Sequence, residues 1–354
     1  MSAGLPGLLA TGWSLHLPGT DLRAALAARL GGPPAGDWAS GDVPPPERAA
    51  ALLGRKGLLA KEPATRMALC AVHRALRLPA GQRPRSPVVP GTAVVACSNL
   101  GNVGTVAAVA RQLAAEGGRG VSILDAPNVS SNVIASTVAL WFGFGGPNLM
   151  VCSGRAAGRH GLRLAALLLA ARRAGRVVLV GAEAADDVAS ALHRDGGSRR
   201  SGIKERTAAP WPALRTGAAC LVLEAAASGP DGTLGAAGRT LGHSVLLRPG
   251  PEPWPDGTRP RLSIGPGGFD PVAHWGDWYG AQDIVALALA AHLIADEGHR
   301  LVAVSGEPGG GPPVLVSAAG SVPGSAADGA PARAGQAARA DETARAGQAA
   351  GRLR

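Results

Sequence analysis

The chain has 354 residues, a hydrophobic content of 46% and a formal net charge of +10 at pH 7. No apolar run is long enough to span a bilayer, and the first residues lack the basic start and cleavage site of a secretory signal, so we expect a cytoplasmic globular protein. The positive charge comes mostly from scattered arginines and aromatic residues make up only 3%, which argues against a nucleic-acid partner. Four widely spaced cysteines without a CxxC pair predict neither a metal site nor a disulfide framework, and we expect no cofactor.

Apolar strands and amphipathic helices alternate along most of the chain. Strands are predicted within residues 7–20, then at 92–98, 148–152, 176–183, 218–224, 300–305 and 313–317. Helices are predicted at 61–78, 103–116, 161–173 and 283–297, with a further hydrophobic helix after Asn132 and a loop at 31–46. This alternation favours a layered α/β fold.

The last part of the chain differs in composition from the rest. From about residue 318 it is rich in Ala, Gly, Arg and Pro, and the heptapeptide ARAGQAA occurs at Ala332 and again at Ala344. Such a segment buries too little apolar surface to offset its ordering entropy. We therefore predict a disordered tail over residues 318–354.

The most informative segment reads NVIASTVALWFGFGGPNLMVCSGRAAGRHGL, from Asn132 to Leu162. It predicts a helix, a Gly-Pro turn, a short strand, a corner of small residues and a second helix. A strand, a tight turn and a helix can hold a nucleophile at the helix N-terminus, where free N–H groups favour a developing anion. Here the corner residue is Arg155, whose guanidinium stays protonated and cannot attack a thioester.

Several segments together resemble the β-ketoacyl synthases, members of the thiolase-fold condensing enzymes. They are LLGRKGLLAKEPATRMALCAVHRAL, the Asn132–Leu162 segment, VVLVGAE and RTGAACLVLE, in this order. The resemblance implies a five-layer αβαβα sandwich of two similar halves, usually dimeric. We expect an N-terminal half at 1–227, a shortened C-terminal half at 228–317 and the disordered tail.

The resemblance also implies positions for the catalytic groups. Enzymes of this family use a Cys at the corner and two His residues, and the Cys position corresponds to Arg155. The first His has no counterpart in residues 259–273, and the second corresponds to Asp277. The Gly-rich loop that helps to form the oxyanion hole corresponds to Gly309, Gly310 and Gly311. All three catalytic side chains are thus absent from their expected positions.

Two residues near the corner have alternative interpretations. Arg155 could bind a phosphate or carboxylate group, or it could pair with Asp277. The third interpretation is that it has no function and was tolerated after catalysis was lost. Cys152 is either a displaced nucleophile, with His160 or His274 as its base, or a small buried hydrophobe at a strand end. Ser153 is a weaker nucleophile candidate because no Gly-x-Ser-x-Gly elbow surrounds it.

The remaining candidates concern assembly. By resemblance, the central helix lies near the dimer interface. The candidate interface or pocket residues are Asn132, Trp141, Phe142, Phe144 and His160.

Three functions fit these observations. The first is a catalytically silent subunit, similar to the chain-length factors of polyketide or fatty-acid-like systems, that partners an active ketosynthase and acts on chains carried by the phosphopantetheine of an acyl carrier protein. The second is an acyltransferase or condensing enzyme of the 3-oxoacyl-[acyl-carrier-protein] synthase type, with its nucleophile relocated to Cys152. The third is a stand-alone binding protein for acyl carrier protein, whose acidic surface would suit a basic chain.

Overall fold

The computed structural model describes residues 7–34, 36–40, 42–82, 89–200, 212–228, 234–235, 244–249, 260, 262–306 and 312–319. Met1–Ser321 forms one compact unit. Only residues 318 and 319 of the predicted tail are described. Ala318 is the last residue of a strand rather than part of a tail. The boundary between halves at residues 227 and 228 stays a prediction.

The secondary structure alternates between strands and helices along the chain. The strands are β1 (Leu8–His16), β2 (Thr92–Cys97), β3 (Asn148–Val151), β4 (Arg176–Glu183), β5 (Gly217–Ala225), β6 (Ala227–Ser228), β7 (Leu234–Gly235), β8 (Val245–Pro249), β9 (Leu262–Ile264), β10 (Leu301–Val304) and β11 (Val314–Ala318). The helices are α1 (Leu22–Leu30), α2 (Ala50–Leu53), α3 (Pro63–Ala75), α4 (Val103–Glu116), α5 (Val133–Phe142), α6 (Ala157–Ala170), α7 (Asp187–Arg200), α8 (Pro271–Trp275) and α9 (Gln282–Ala295).

Local sequence explains the elements nearest the site. β2 and β4 read TAVVAC and RVVLVGAE, and nearly every residue of both is buried, as expected for parallel strands covered on both faces. α3 begins with Pro63, whose missing N–H is not needed in the first turn. α5 ends at Gly143, which adopts the left-handed conformation with φ 71°.

Among the described residues, nine strands form one mixed sheet in the order β3-β2-β4-β5-β1-β8-β11-β10-β9. β2 is parallel to β4, while β5 is antiparallel to both β4 and β1. The second part repeats this scheme: β9 is parallel to β10, and β11 is antiparallel to both β10 and β8. The two parts meet where β1 pairs with β8, with Leu9 opposite Leu246.

The strands β3, β2, β4, β5 and β1 form the first half-sheet, and β8, β11, β10 and β9 form the second. Helices cover the two faces of the first half-sheet. α3 and α5 pack on one face, and α6 packs on the other. α9 lies beside α6 and also contacts β10 and β11 of the second half-sheet. The elements therefore stack as a layer of helices, the first half-sheet, a second layer of helices and the second half-sheet. Almost every residue of α9 is buried between the two half-sheets.

The second half is shorter than the first. Residues 17–91 connect β1 to β2, whereas only residues 250–261 connect β8 to β9. Within the described residues, no strand of the second half corresponds to β3. The first half therefore contains most of the elements that surround the corner.

Most predicted elements are present, with shifted ends. The helix predicted from residue 161 begins at Ala157, so it starts at the corner itself. The elements that were not predicted are α1, α2, α7, α8, β6, β7, β8 and β9. β8 and β9 lie in a Gly- and Pro-rich region and are short. Among the described residues, no helix combines the length and apolar character needed to cross a membrane.

Stability should depend on pH through His16 at the end of β1. Burial lowers the pKa of His16 to about 4, partly opposed by its Nε2 contact with the Pro44 carbonyl and reinforced by the Arg74 charge. Between pH 6.5 and 4 the unfolded chain takes up a proton that the folded chain refuses, so the folded state loses stability as the pH falls.

We expect His16→Gln, which keeps an N–H near Pro44, to lose less stability over this interval than the unmodified chain, by about 3 kcal/mol. Urea unfolding at pH 7 and pH 4.5 measures the difference. Parallel losses in both proteins would show that His16 does not titrate in this way.

Candidate functional site

The corner follows the edge strand β3. Cys152 and Ser153 are exposed, Gly154–Ala156 forms a 3-10 turn, and α6 starts at Ala157. Gly154 has φ 69°, a left-handed conformation that suits glycine. The strand, small-residue turn and helix predicted from the sequence are thus present, with Arg155 in the turn.

Arg155 forms a bidentate ion pair with Asp277. Nη1 lies 3.3 Å from Oδ1, and Nη2 contacts Oδ2. The Arg155 side chain is 9% exposed and that of Asp277 is fully buried. The structure therefore joins the two positions at which the resemblance places the nucleophile and the second His.

Asp277 is held from several directions. Its main chain pairs with that of the 213–215 segment: the Asp277 N–H donates to the Ala213 carbonyl at 2.9 Å, and its carbonyl accepts from the Arg215 N–H at 2.8 Å. Its carboxylate also lies 2.6 Å from Nε2 of His193, a buried residue of α7. Asp277 thus links the corner, α7 and the segment before β5.

Tyr279 completes this cluster. It adopts a left-handed conformation with φ 41°, and its N–H donates to Asp277 Oδ1 at 2.7 Å. Its ring lies 5.6 Å from the Arg155 guanidinium carbon and 5.4 Å from the His193 ring, edge to face. A phosphate or carboxylate could be bound by Arg155 only in competition with Asp277, so this geometry favours the internal pair over the clamp.

A second buried carboxylate belongs to Glu183, at the end of β4, and it binds the backbone of segments beside the corner. Its oxygens accept from the Ser98 hydroxyl at 3.0 Å and from the N–H groups of Asn99 at 2.8 Å, Leu100 at 3.0 Å and Gly280 at 3.3 Å. The Asn99 side chain binds both backbone groups of Gly154, at 2.7 Å to its N–H and 3.0 Å to its carbonyl. Glu183 is therefore connected to the corner through Asn99 and to the Asp277 segment through Gly280.

Burial raises the pKa of Glu183 to about 7, although its four hydrogen bonds favour the ionised form. All four partners are donors, so the carboxylate suits this position better than the acid does. Gly280 approaches closely: a Cβ there would meet the Asn99 amide and lie 2.9 Å from Glu183 Oε1.

A second charged pair joins α6 to α9. Asp283 Oδ2 accepts the Arg159 N–H at 3.1 Å, and Asp283 Oδ1 lies 3.5 Å from Arg159 Nε. The guanidinium also donates to the carbonyls of Pro312 at 2.7 Å and Val304 at 3.1 Å. This contact fixes the start of α6, and so the corner, against the second half of the chain.

The base candidates do not lie as the sequence suggested. His160 Nδ1 is 2.7 Å from the Ser153 hydroxyl, rather than bonded to Cys152. His274 stacks on Phe269, with ring centroids 4.8 Å apart. Partial burial and the nearby Glu183 charge raise the pKa of Cys152, which keeps its thiol protonated. These contacts weigh against Cys152 as the nucleophile.

The structure places the assembly candidates on α5 and its neighbours. Asn132 precedes α5 and donates to the Asn148 side chain of β3 at 2.8 Å. Phe142 is buried and stacks with Phe144 at 5.7 Å, and Trp141 is partly exposed. Their role in an interface remains a prediction. Gly309, Gly310 and Gly311 lie outside the described residues.

Sequence reasoning missed His193, Asn99 and Glu183. Glu183 had one recognisable signal, a lone carboxylate at the end of an apolar strand. His193 had none, because it lies in a polar helix whose pattern does not show what it faces. Across the part of the chain that the structure describes, no group of three His, Cys, Asp or Glu side chains is placed to hold a metal ion.

Residues 49–201 match the model of the β-ketoacyl synthase N-terminal domain. They include the corner, Arg155, Asn99 and Glu183. This part of the chain is similar to a β-ketoacyl synthase domain. The match covers rather less than half of the chain, and no curated protein matches the sequence.

Solved structures agree on the fold. The ishigamide ketosynthase/chain length factor is 20% identical, with a TM-score of 0.54 over 87% of this chain and 98% of that one. A ketosynthase in complex with its type II PKS acyl-carrier protein is 14% identical, with a TM-score of 0.58 over 88% and 99%. A β-ketoacyl synthase from Burkholderia phymatum STM815 is 16% identical, with a TM-score of 0.53 over 88% and 98%. The predicted thiolase-like fold is confirmed; at these identities the likeness extends to the fold alone.

Removing one member of the buried pair should be costly. Arg155→Met leaves the Asp277 carboxylate without its guanidinium partner, and we expect a loss of about 3–5 kcal/mol in the free energy of unfolding. The double variant Arg155→Met/Asp277→Asn should lose less than the sum of the single changes. Arg163→Met, an exposed position on α6, should change stability by less than about 0.5 kcal/mol. Similar small losses at 155 and 163 in urea unfolding would contradict a buried, coupled pair.

Gly280→Ala should displace Asn99 or Glu183 because no room exists for a Cβ. We expect a loss of about 1–3 kcal/mol. Gly32→Ala is the matched control, because a Cβ there would meet nothing within 4 Å. Thermal unfolding of both variants tests this, and equal melting temperatures would mean that the network tolerates the methyl group.

Proposed function

We propose that this chain is a ketosynthase-like subunit without its own nucleophile, acting as the partner of an active ketosynthase in a polyketide or fatty-acid-like biosynthetic system. The observation that carries the proposal is the buried Arg155–Asp277 pair. A guanidinium occupies the corner where the family resemblance expects a thiol, and its partner occupies the position of a catalytic His. Neither side chain can form or break an acyl thioester in this arrangement.

The contacts of Asn99, Glu183 and Asp283 around the corner support a function for this chain other than that of an inactivated enzyme. The Asn99 side chain binds the backbone of Gly154, and Glu183 binds the Asn99 N–H in turn. Asp283 binds the backbone at the start of α6. One structural relative is described as a ketosynthase/chain length factor. By analogy, this chain would supply a surface and a channel wall while the partner supplies the thiolate.

The surface around β3 supports assembly with such a partner. β3 is the end strand of the nine-stranded sheet in the described residues, and an end strand presents backbone groups that can pair with another chain. Leu149 on β3 is 36% exposed and Leu140 on α5 is 84% exposed. Leu113, Ile123 and Leu124, from α4 and the segment after it, are also exposed.

These leucines and the isoleucine belong to elements that contact one another in series, from α4 through the 126–129 turn to α5 and β3. α4 itself has no buried residue, although it is rich in Val, Ala and Leu. Exposed apolar residues on neighbouring elements are typical of protein–protein interfaces. We place the partner ketosynthase on this surface, and the acyl carrier protein brings the chain to the assembled pair.

The first test is mass spectrometry of the intact protein after incubation with an acyl thioester carried on acyl carrier protein. A known active ketosynthase is labelled in parallel. We expect no acyl group on residues 155 or 277 and co-purification of the chain with a Cys-containing ketosynthase on co-expression. An acyl adduct at Cys152, or a chain that stays monomeric with its candidate partners, would contradict the proposal.

Charge placed on the β3 surface should prevent assembly. We expect Leu140→Arg/Leu149→Asp to weaken the partner complex at least tenfold, because both positions would become buried on binding. Leu192→Arg, an exposed apolar position on α7 with 48% exposure, is the control and should leave binding unchanged. Native mass spectrometry or sedimentation of the co-expressed pair measures this. Equal loss with both variants would place the interface elsewhere.

A further inference from the structure

Ser153 and His160 form an exposed pair beside the closed corner. The Ser153 hydroxyl lies 2.7 Å from His160 Nδ1. Both residues are exposed, so a small molecule can reach the hydroxyl. A serine within hydrogen-bond distance of an imidazole is the basic arrangement for activating a hydroxyl nucleophile.

The position of Ser153 in the chain also suits acyl transfer. It directly precedes the 154–156 turn, and α6 begins after that turn at Ala157. Negative charge near the start of a helical segment is favoured by the helix dipole. This electrostatic effect would assist the oxyanion that forms when Ser153 attacks a carbonyl.

The neighbouring Cys152 is a poorer candidate for the same chemistry. Partial burial and the Glu183 charge raise the pKa of its thiol, and the nearest imidazole is bonded to Ser153. A hydroxyl needs a base more than a thiol does, and here the base lies with the hydroxyl.

We propose that Ser153 and His160 form an accessory acyl-transfer site for small activated thioesters and esters, separate from the Arg155–Asp277 cluster. Ser153 Oγ attacks the carbonyl carbon, and its proton moves to His160 Nδ1. The carbon–sulfur bond breaks, and the thiolate leaves with the proton from His160. Water then attacks the acyl-serine, His160 takes up its proton and returns it to Ser153 Oγ, and the carboxylic acid is released. The site has no resolved third group that orients His160, so we expect slow turnover and an acyl-serine that accumulates.

The test uses p-nitrophenyl acetate with the purified full chain. We expect release of nitrophenolate and one added acetyl group on the peptide that contains Ser153. Ser153→Ala should remove the adduct, and His160→Ala should slow acetylation by about 10² to 10⁴-fold. Cys152→Ala is the matched control variant, and we expect it to be acetylated to the same extent as the unmodified chain.

Hydroxylamine at neutral pH distinguishes the two neighbours, because it cleaves thioesters much faster than serine esters. A hydroxylamine-resistant adduct supports Ser153. No adduct, an adduct that survives Ser153→Ala, or a rate unaffected by His160→Ala would overturn the proposal. Both residues are exposed, so thermal unfolding should be nearly unchanged in the variants. Binding of the partner ketosynthase is measured separately, so failure here would leave the subunit role untouched.

Discussion

The buried ion pair between Arg155 and Asp277 is the constraint on which the rest of the site depends. Two charges removed from water must be matched in position and number, because an unpaired buried charge costs far more than the pair gains. Asp277 meets this condition with the guanidinium, the His193 ring and the Tyr279 N–H. The pair therefore determines where the corner, α7 and the 277–279 segment lie relative to one another.

A second set of contacts around the corner does not involve residue 155. Glu183 accepts four hydrogen bonds and reaches Gly154 through Asn99, while Asp283 fixes the first turn of α6. In a β-ketoacyl synthase-like fold this set of contacts would present a nucleophile; here it presents a cation that is already bound. The fold and the chemistry of the corner are thus separable, which is why the function has to be argued from the site.

The buried and the exposed sides of the corner differ in which groups are accessible to solvent. Inside, the side chains of Arg155 and His193 bind the Asp277 carboxylate. Outside, Ser153 and His160 are exposed, and the apolar surface of α4, α5 and β3 has no covering element in the described residues. The proposed role, a subunit that binds a catalytic partner and has no nucleophile of its own at the corner, would combine these two properties.

The sequence alone determined the apolar strands, the small-residue corner and the arginine within it, because these are properties of composition and spacing. Asp277 became a candidate only through the resemblance to β-ketoacyl synthases. Tertiary structure decided which groups meet. His193 reaches Asp277 across 84 residues, Glu183 binds loops from both halves, and His160 turns to Ser153 instead of Cys152. It also decided β8 and β9, short strands whose order depends on pairing with β1, β10 and β11. Periodicity shows which face of an element is apolar, but the partner of a polar side chain depends on where the folded backbone brings distant segments together.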